Sequence, residues 1–498
     1  MISELIIRLS FNQHSNKMKK HILTLMVMQF FASLSFSQND IDAMRYSHLT
    51  FGGTARFASM AGSMGALGGD ISTLSFNPAG IAIFRKTELS ITPSVFSQTI
   101  TSNYNGSSTA DQKLNFNLGN IGLVASFQLN EEKSKGWVSL NFGVGYNRTN
   151  SFHSRSIVES YNKTSSLLDV FVANANGHPD TDFDGFSTGL AWKAWLINPI
   201  AGDSLHYNHV ITNYGELQRK SVESRGSMGE TAISFGGNYK NKLFLGGTIG
   251  VVRVRYNEEA VYEEIDEKDT IANFKSFSFT QNLNTQGNGI NLKIGFIYKA
   301  TDWFRVGAAI HTPTSITLKD EYSSSMKSDL EGNNKYDEAS ENGVFDYSVT
   351  TPFRAIASAG FIINKIAVLN AEYEYVDYSD ARLSSNPNVF AEVNTMIRSN
   401  YTSTNNLRFG GEVRLDPFAV RLGYALYGSP FKNGENKNAT RSSYTAGVGF
   451  RENNYFLDFA YVYTMYNQNN YLYNPSITNA VENKYTNSSF MLSLGVRF

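Results

Sequence analysis

The sequence predicts an all-β fold, a transmembrane antiparallel β-barrel of about fourteen strands with an N-terminal hatch inside its lumen. Three observations carry this reading. Apolar and polar residues alternate with period two through most of the chain, as they do along a strand with two different faces. The links between these segments are short and long by turns, the mark of a barrel with one tight rim and one looped rim. Residues 38–85, by contrast, do not alternate and are crowded with small side chains.

In chain order, residues 1–37 read as a secretory signal peptide with Met18 as its natural start. Lys19 and Lys20 precede an apolar run from Ile22 to Phe36, and Ser35-Phe36-Ser37 forms a small-x-small cleavage site. The mature chain is then expected to begin near Gln38. No later stretch approaches the roughly 18 apolar residues of a spanning helix. The 498 residues contain no Cys, which removes disulfides and thiolate chemistry. Charged residues make up 17% and aromatics 13%, with 27 Tyr, 35 Phe and 40 Gly. A net charge of −1 gives no electrostatic case for nucleic acid as a partner.

The C-terminal half shows the period most clearly. In "SSFMLSLGVRF", Phe490, Leu492, Leu494, Val496 and Phe498 share one face, opposite Met491, Ser493, Gly495 and Arg497. "YFLDFAYVY", "YTAGVGFR", "FAVRLGYAL" and "LRFGGEVRL" repeat it, with Gly and ionised groups on the second face. The expected strands are 86–100, 113–130, 137–153, 223–240, 242–260, 271–299, 303–320, 343–363, 366–381, 403–415, 418–429, 439–452, 455–468 and 485–498. "QNLNTQGNGI" suggests a bulge in the sixth, and Pro352 a kink in the eighth. In the fifth, Leu245, Ile249, Arg253 and Arg255 share a parity, which leaves its phase open. Lipid cannot satisfy an open sheet edge, so such a sheet must close. The terminal Phe498 resembles the insertion signal of outer-membrane proteins, which implies the barrel assembly machinery and outer-membrane lipid as partners.

Residues 38–85 need a different explanation. Gly62, Gly65 and Gly68 are spaced G-x-x-G-x-x-G, without the preceding strand or following Lys-Ser/Thr of a phosphate-binding loop. Asp70 is placed to cap a turn at Ile71–Leu74, and Asn77 a second turn with Pro78 at its first position. Gly65, Gly68, Gly69 and Gly80 suit close packing against a wall. This segment reads as a hatch, residues 38–85, ahead of a barrel spanning 86–498.

"FGGTARFASMAGSMGALGGDISTLSFNPAGIA" resembles the hatch of the long-chain fatty acid and aromatic-hydrocarbon transporters of Gram-negative outer membranes, the FadL/OmpP1/TodX family. Its Asn-Pro-Ala motif matches Asn77, Pro78 and Ala79. "FRVGAAIHTP", "TPFRAIASAGF", "AEYEYVDYS" and "RLGYALYGSPF" also look like the family's later strands. The resemblance implies a non-enzymatic, monomeric barrel for passive uptake of hydrophobic small molecules. Ligand would be captured by extracellular loops, would move the hatch, and would leave sideways through a gap at a kinked third strand. Gly143 and Gly145, both inward in that strand, are the candidates for the thin wall. A haem-binding or other surface-binding barrel, or a general porin, is the alternative function.

The longest connection, about 154–222, follows the third strand, whereas the family places its largest loops later. Within it "GFSTGLAWKAWLINP" has helical spacing, and Leu190, Trp192, Trp195 and Leu196 are the candidate capture surface. The alternative is a helix that folds its apolar face onto the barrel mouth. Asp180, Asp182 and Asp184 form the first half of a calcium loop, but position twelve is Ala191 where a Glu ligand is needed. No cofactor is expected; Ca²⁺ on these three Asp is the candidate that the spacing raises, and a solvated acidic turn is the alternative. His206 and His209 form H-x-x-H without a fixed helix, a weak haem or metal signal. Arg408, Glu412, Arg414, Arg421, Arg451, Asp458 and Arg497 face inward and are expected to form a lumenal ion-pair network. His311 has no evident Ser partner for hydrolytic chemistry.

Overall fold

The computed structural model describes residues 40–129 and 136–498. The signal-peptide reading falls on residues 1–37, outside the described residues. The chain opens with two short helices, α1 (Asp40–Ser47) and α2 (Ala55–Ser59), and two 3₁₀ turns at Ile71–Ser75 and Pro78–Ile83. Both turns are capped as their sequences dictate. The Asp70 carboxylate accepts from Ser72 N, the Asn77 amide oxygen accepts from Ala79 N, and Pro78 opens its turn where a missing N–H costs nothing.

Fourteen antiparallel strands follow and close on themselves. The first six are β1 (Glu88–Tyr104), β2 (Ser107–Gln128), β3 (Trp137–Ser151, resuming at Ser154–Tyr161), β4 (Leu217–Tyr239), β5 (Leu243–Ile265) and β6 (Ser276–Lys299). β7 runs Phe304–His311 and Ser315–Leu330, and β8 runs Asn334–Ala339, Gly343–Thr350 and Arg354–Ile363. β9 is Ala367–Asp377 with a short continuation at Arg382–Ser384. The last five are β10 (Ser403–Leu415), β11 (Phe418–Tyr427), β12 (Arg441–Glu452), β13 (Tyr455–Tyr471) and β14 (Ala480–Arg497). β14 pairs with β1 from Arg497↔Glu88 to Glu482↔Asn103. Phe498 finishes the seam, exchanging backbone hydrogen bonds with Thr87 at 3.0 and 3.1 Å.

Every expected strand is present, with differences at the outer ends. The sequence placed a loop between 100 and 113. Instead β1 and β2 run on to a two-residue turn at Asn105-Gly106, both left-handed, the geometry that matches strand twist. Likewise the long connection spans 162–216, shorter than the expected 154–222. Beyond the membrane the outer face turns polar, so alternation stops while the backbone ladder continues. β5 shows the same boundary: Leu245, Ile249 and Val251 are exposed apolar side chains, and Arg253 and Arg255 follow on the same face. The bulge expected in β6 is absent, since its pairing with β5 runs from Ser276 to Tyr298 without a shift. β8 does break around Pro352, between Thr350 and Arg354, and β7 breaks opposite it around Pro313.

The long connection is a small folded unit with α3 (Leu167–Ala175), α4 (Thr188–Lys193) and a hairpin at Ile197–Ile200 and Asp203–His209. Its apolar core includes Leu168, Phe171, Leu190 and Leu196, and it continues onto the outer ends of the barrel through Tyr262, Phe277, Phe279 and Leu472. A further helix, α5 (Ala391–Asn400), lies between β9 and β10 and packs near α1.

Candidate functional site

The hatch occupies the lumen and is held on all sides. Ala55 N donates to Ser493 Oγ at 2.7 Å, Thr248 Oγ1 to the Leu74 carbonyl at 2.9 Å, and Thr445 Oγ1 to the Ser59 carbonyl at 2.8 Å. Asn77 is the joint of this assembly. Its Nδ2 donates to the carbonyl of Gly65 at 2.7 Å, within the hatch, and to that of Phe296 on β6 at 3.3 Å. Gly65 N in turn donates to Glu372 of β9 at 2.8 Å. Pro78 fixes the turn and Ala79 is buried beside Phe244 and Ile297.

Small residues on the barrel receive the hatch. A Cβ at Gly246 would lie 2.3 Å from the Pro78 carbonyl, one at Gly295 would lie 2.0 Å from Asn77 Oδ1, and one at Gly410 would lie 2.6 Å from the Met60 carbonyl. Within the hatch, left-handed Gly68 packs against Gly80, a Cβ on the former reaching 2.8 Å from the Cα of the latter; Gly69 is left-handed beside Ile83. Gly143 and Gly145 belong to this set: Gly143 faces Ile81, and Gly145 faces Ile71 and Leu74. Both lie inside an intact ladder, paired with Val124 and Gly122. They are sockets for the hatch, and the wall is closed where they stand.

The expected charge network is also part of the seat. Arg421 bridges Glu412 (2.7 Å) and Asp458 (2.6 Å), and Arg56 of the hatch joins through Glu412 at 2.9 Å. Arg414 meets Glu412 at the rim (2.8 Å), and Arg497 pairs with Glu88 (2.6 Å). Arg408 meets Glu372 (2.7 Å) and Glu374 (3.0 Å), and Arg354 shares Glu374 (2.7 Å). Arg451 makes no ion pair among the described residues. His311 donates to the Phe76 carbonyl at 2.7 Å, so it too serves the hatch. The buried carboxylates Glu88, Glu372, Glu374, Glu412 and Asp458 are each paired with a guanidinium, which offsets their desolvation.

The wall opens one step above these sockets. The β2–β3 ladder runs from Gln128↔Ser139 to Asn120↔Asn147 and stops, although both strands continue. The hatch fills this place: Thr50 N donates to the Thr149 carbonyl at 2.8 Å, and Thr50 Oγ1 adds a second bond at 2.9 Å. Gly52 lies so close that a Cβ would sit 1.9 Å from the Arg148 carbonyl. On the outer edge of the gap, Leu114, Phe116 and Leu118 are exposed side chains of β2.

Inside the gap lies a cavity of about 1280 Å³, between the hatch below and the loops above. Phe51, Phe96, Val158, Tyr427, Val462 and Met491 give it apolar walls. His48 and Arg441 meet at its wall, and Arg148, Lys220, Asp40, Glu258 and Asp320 add further charged lining elsewhere around it. Burial, with Arg441 and Arg354 nearby, holds the His48 pKa well below its ordinary value. The neutral ring accepts from Arg441 Nη1 at 2.6 Å. Arg441 stacks on Tyr466, 4.2 Å from the ring centroid, and neither it nor Arg148 has a carboxylate partner among the described residues. His48 and Arg441 carried no sequence signal, because they meet only through the barrel's closure.

The loop residues are distributed differently. Leu190 and Leu196 are fully buried in the loop's own core and present no surface. Trp192 is half-buried against Phe183 and Tyr207. Trp195 alone is exposed, with left-handed backbone (φ 57) and its ring 6.2 Å from Tyr336. Asp184 caps α4: its carboxylate accepts from Phe186 N, Ser187 N and Thr188 N at 2.9, 2.6 and 3.0 Å. Asp180 and Asp182 sit in an exposed 3₁₀ turn, and no three acidic or His side chains among the described residues group as metal ligands. His206 and His209 contact separate carboxylates, Asp203 at 2.7 Å and Asp169 at 3.0 Å.

These features define a closed transmembrane β-barrel filled by an N-terminal hatch, with a cavity above the hatch and a break in the β2–β3 ladder. The family model for outer membrane protein transport proteins (OMPP1/FadL/TodX) matches residues 230–498, and the chain belongs to this family of outer-membrane barrels. The fold is similar to that of a Pseudomonas aeruginosa FadL homologue (14% identity, 91% of this chain and 99% of that one, TM-score 0.53). It is equally similar to the Pseudomonas putida toluene transporter TodX (13% identity, 90% and 99% coverage, TM-score 0.53). At these identities the likeness establishes the fold. No individual curated protein matches the chain in sequence.

Proposed function

We propose that this barrel carries hydrophobic small molecules passively across the outer membrane as a monomer. Ligand enters the 1280 Å³ cavity from the loop side, displaces residues 50–53 of the hatch, and leaves sideways past Leu114, Phe116 and Leu118 into the bilayer. Such a route spares an apolar molecule a water-filled pore. The observation that carries the reading is the Thr50–Thr149 pairing, which puts a displaceable segment where the wall lacks its own ladder. Lipid-facing backbone must be paired, and the hatch supplies that pairing while the gate is shut.

Arg441 lines this cavity with no carboxylate partner among the described residues, which favours an amphiphile with an anionic head over a plain hydrocarbon. An uncompensated guanidinium in a half-apolar cavity gains most from a carboxylate. The test is uptake of radiolabelled dodecanoic acid and of toluene by cells that lack their own transporter of this kind. Expression of the chain should restore uptake of the acid above that of toluene. Deleting residues 38–80 should unblock the lumen and raise conductance in planar bilayers; unchanged conductance in that variant would remove the hatch from the mechanism.

A further inference from the structure

Above the gap, β2 and β3 are joined by side chains alone. Along β2 the exposed residues Ser108, Ala110, Gln112 and Leu114 alternate with the half-buried Ser107, Thr109, Asp111 and Lys113, whose side chains point inward. It is this inward set that meets the outer part of β3. Asp111 takes a bidentate contact from Arg155 (2.7 and 3.0 Å), Thr109 donates to the Ile157 carbonyl, and the Ser107 and Ser160 hydroxyls lie 3.1 Å apart. β3 therefore passes behind the edge of β2 rather than beside it. The break at Phe152-His153 permits this offset and lets Lys113 reach past β3 to Glu223 on β4. Arg225 shares Glu223 at 2.6 Å, and Arg155 approaches it at 3.9 Å.

We propose that this overlap is an ion-pair latch whose opening sets the widest ligand the wall gap will pass. The proposal rests on the sideways exit proposed above. Two physical facts support it. The overlap lies beyond the last large outward apolar residue of β2, Leu114, with only Ala110 among the polar outward residues after it, so its strand edges stand where water can reach them and the seam needs no ladder. Its contacts are partly solvated, with side chains 12–42% exposed at Asp111, Lys113, Glu223 and Arg155. Ion pairs of that kind are individually weak and are screened by salt. The seam thus parts at small cost, whereas the ladder below Asn120↔Asn147 does not. A slim chain passes the lower gap with the latch closed; a bulkier one needs the latch open.

The absence of Cys makes a clean test available. The double variant Ser107→Cys/Ser160→Cys places two sulfurs where hydroxyls now stand 3.1 Å apart, within reach of a disulfide. Purified barrel in vesicles is given dodecanoic acid or a pyrene-labelled long-chain acid, and arrival is read in the bilayer and in the vesicle interior. In the oxidised form, delivery of the pyrene acid to the bilayer should fall at least about tenfold while dodecanoic acid changes less than about twofold, and reductant should restore the former. The variant Asp111→Asn/Lys113→Gln should instead speed the pyrene acid by about threefold at low salt and less at high salt. Equal delivery of both probes in oxidised and reduced forms overturns the latch and leaves the sideways exit standing. Appearance of either probe in the interior before the bilayer overturns the exit itself.

Discussion

The backbone N–H of Thr50 donates to the Thr149 carbonyl across 2.8 Å, in the one stretch where β3 has lost β2 and has not yet gained another cover. Thr50→Pro removes that donor, and Gly52→Ala puts a Cβ 1.9 Å from the Arg148 carbonyl. Either change should lift residues 50–53 from the wall without touching the barrel ladder. Thr50→Pro also removes the Oγ1 bond, and because both donors share the one Thr149 carbonyl their joint loss is worth about 1 kcal/mol. Basal conductance in planar bilayers should rise roughly fivefold in Thr50→Pro, with the heat-modifiable gel shift of a folded barrel retained. Wild-type conductance in both variants would mean the segment is not a door.

The inward glycines should rank by what their missing Cβ would meet. At Gly145 the nearest atoms are side-chain carbons of Ile71 and Leu74, at 3.2 and 3.5 Å. At Gly246 the nearest atom is the Pro78 carbonyl oxygen, at 2.3 Å. Gly145→Ala should therefore keep the hatch seated, and Gly246→Ala should unseat the Asn77–Ala79 turn. Overpacking of this kind costs about 1–3 kcal/mol. Limited proteolysis of the hatch checks it, with faster cleavage expected only in Gly246→Ala. A bulkier change, Gly143→Leu, should displace Ile81 and act like Gly246→Ala.

How much of this was legible in the sequence follows from where the signal is local. Strand faces, the Asp70 and Asn77 caps and the inward charges are set by residues within a few positions of one another, and these were readable. Tyr104 and Ser107 were missed as strand because the residues around them, 101–103 and 108–112, are polar or small at both parities and show no alternation. Gly143 and Gly145 face the hatch inside a paired ladder, and the sequence could not separate a socket from a thin wall, since both need a small residue. Thr50 carries no pattern at all. Its role arises only because β2 and β3 part, and two strands' pairing range is not written in either strand alone.

The loop offers a test that separates packing from capture. Leu190 and Leu196 are fully buried, so Leu190→Ala should lower stability of the loop by about 2–5 kcal/mol and expose it to protease. Trp195 is different: it occupies the left-handed position just past α4, where Gly is preferred, and its ring lies in solvent. Trp195→Gly should stabilise the loop slightly, on the order of 1 kcal/mol. If Trp195 is part of the capture surface, the same variant should weaken binding of dodecanoic acid several-fold by calorimetry. Unchanged affinity would leave the exposed ring without a role in capture.

His48 links the hatch to the cavity and makes its seating depend on pH. Arg441, Arg354, Tyr378 and Tyr427 surround the ring, and among the described residues no carboxylate contacts it. Burial and the two guanidinium groups depress its pKa well below 6.5, so the seated hatch holds the neutral ring. A displaced hatch frees His48 to titrate near its ordinary value. Below about pH 6.5 the displaced form gains a proton that the seated form refuses. Seating is therefore strongest above that pH and weakens as pH falls toward the depressed pKa. Conductance should rise between pH 7 and pH 5 in the wild type. His48→Gln, which retains an acceptor for Arg441 but does not titrate, should flatten that profile. A pH response that survives in His48→Gln would place the sensitive group elsewhere in the lumen.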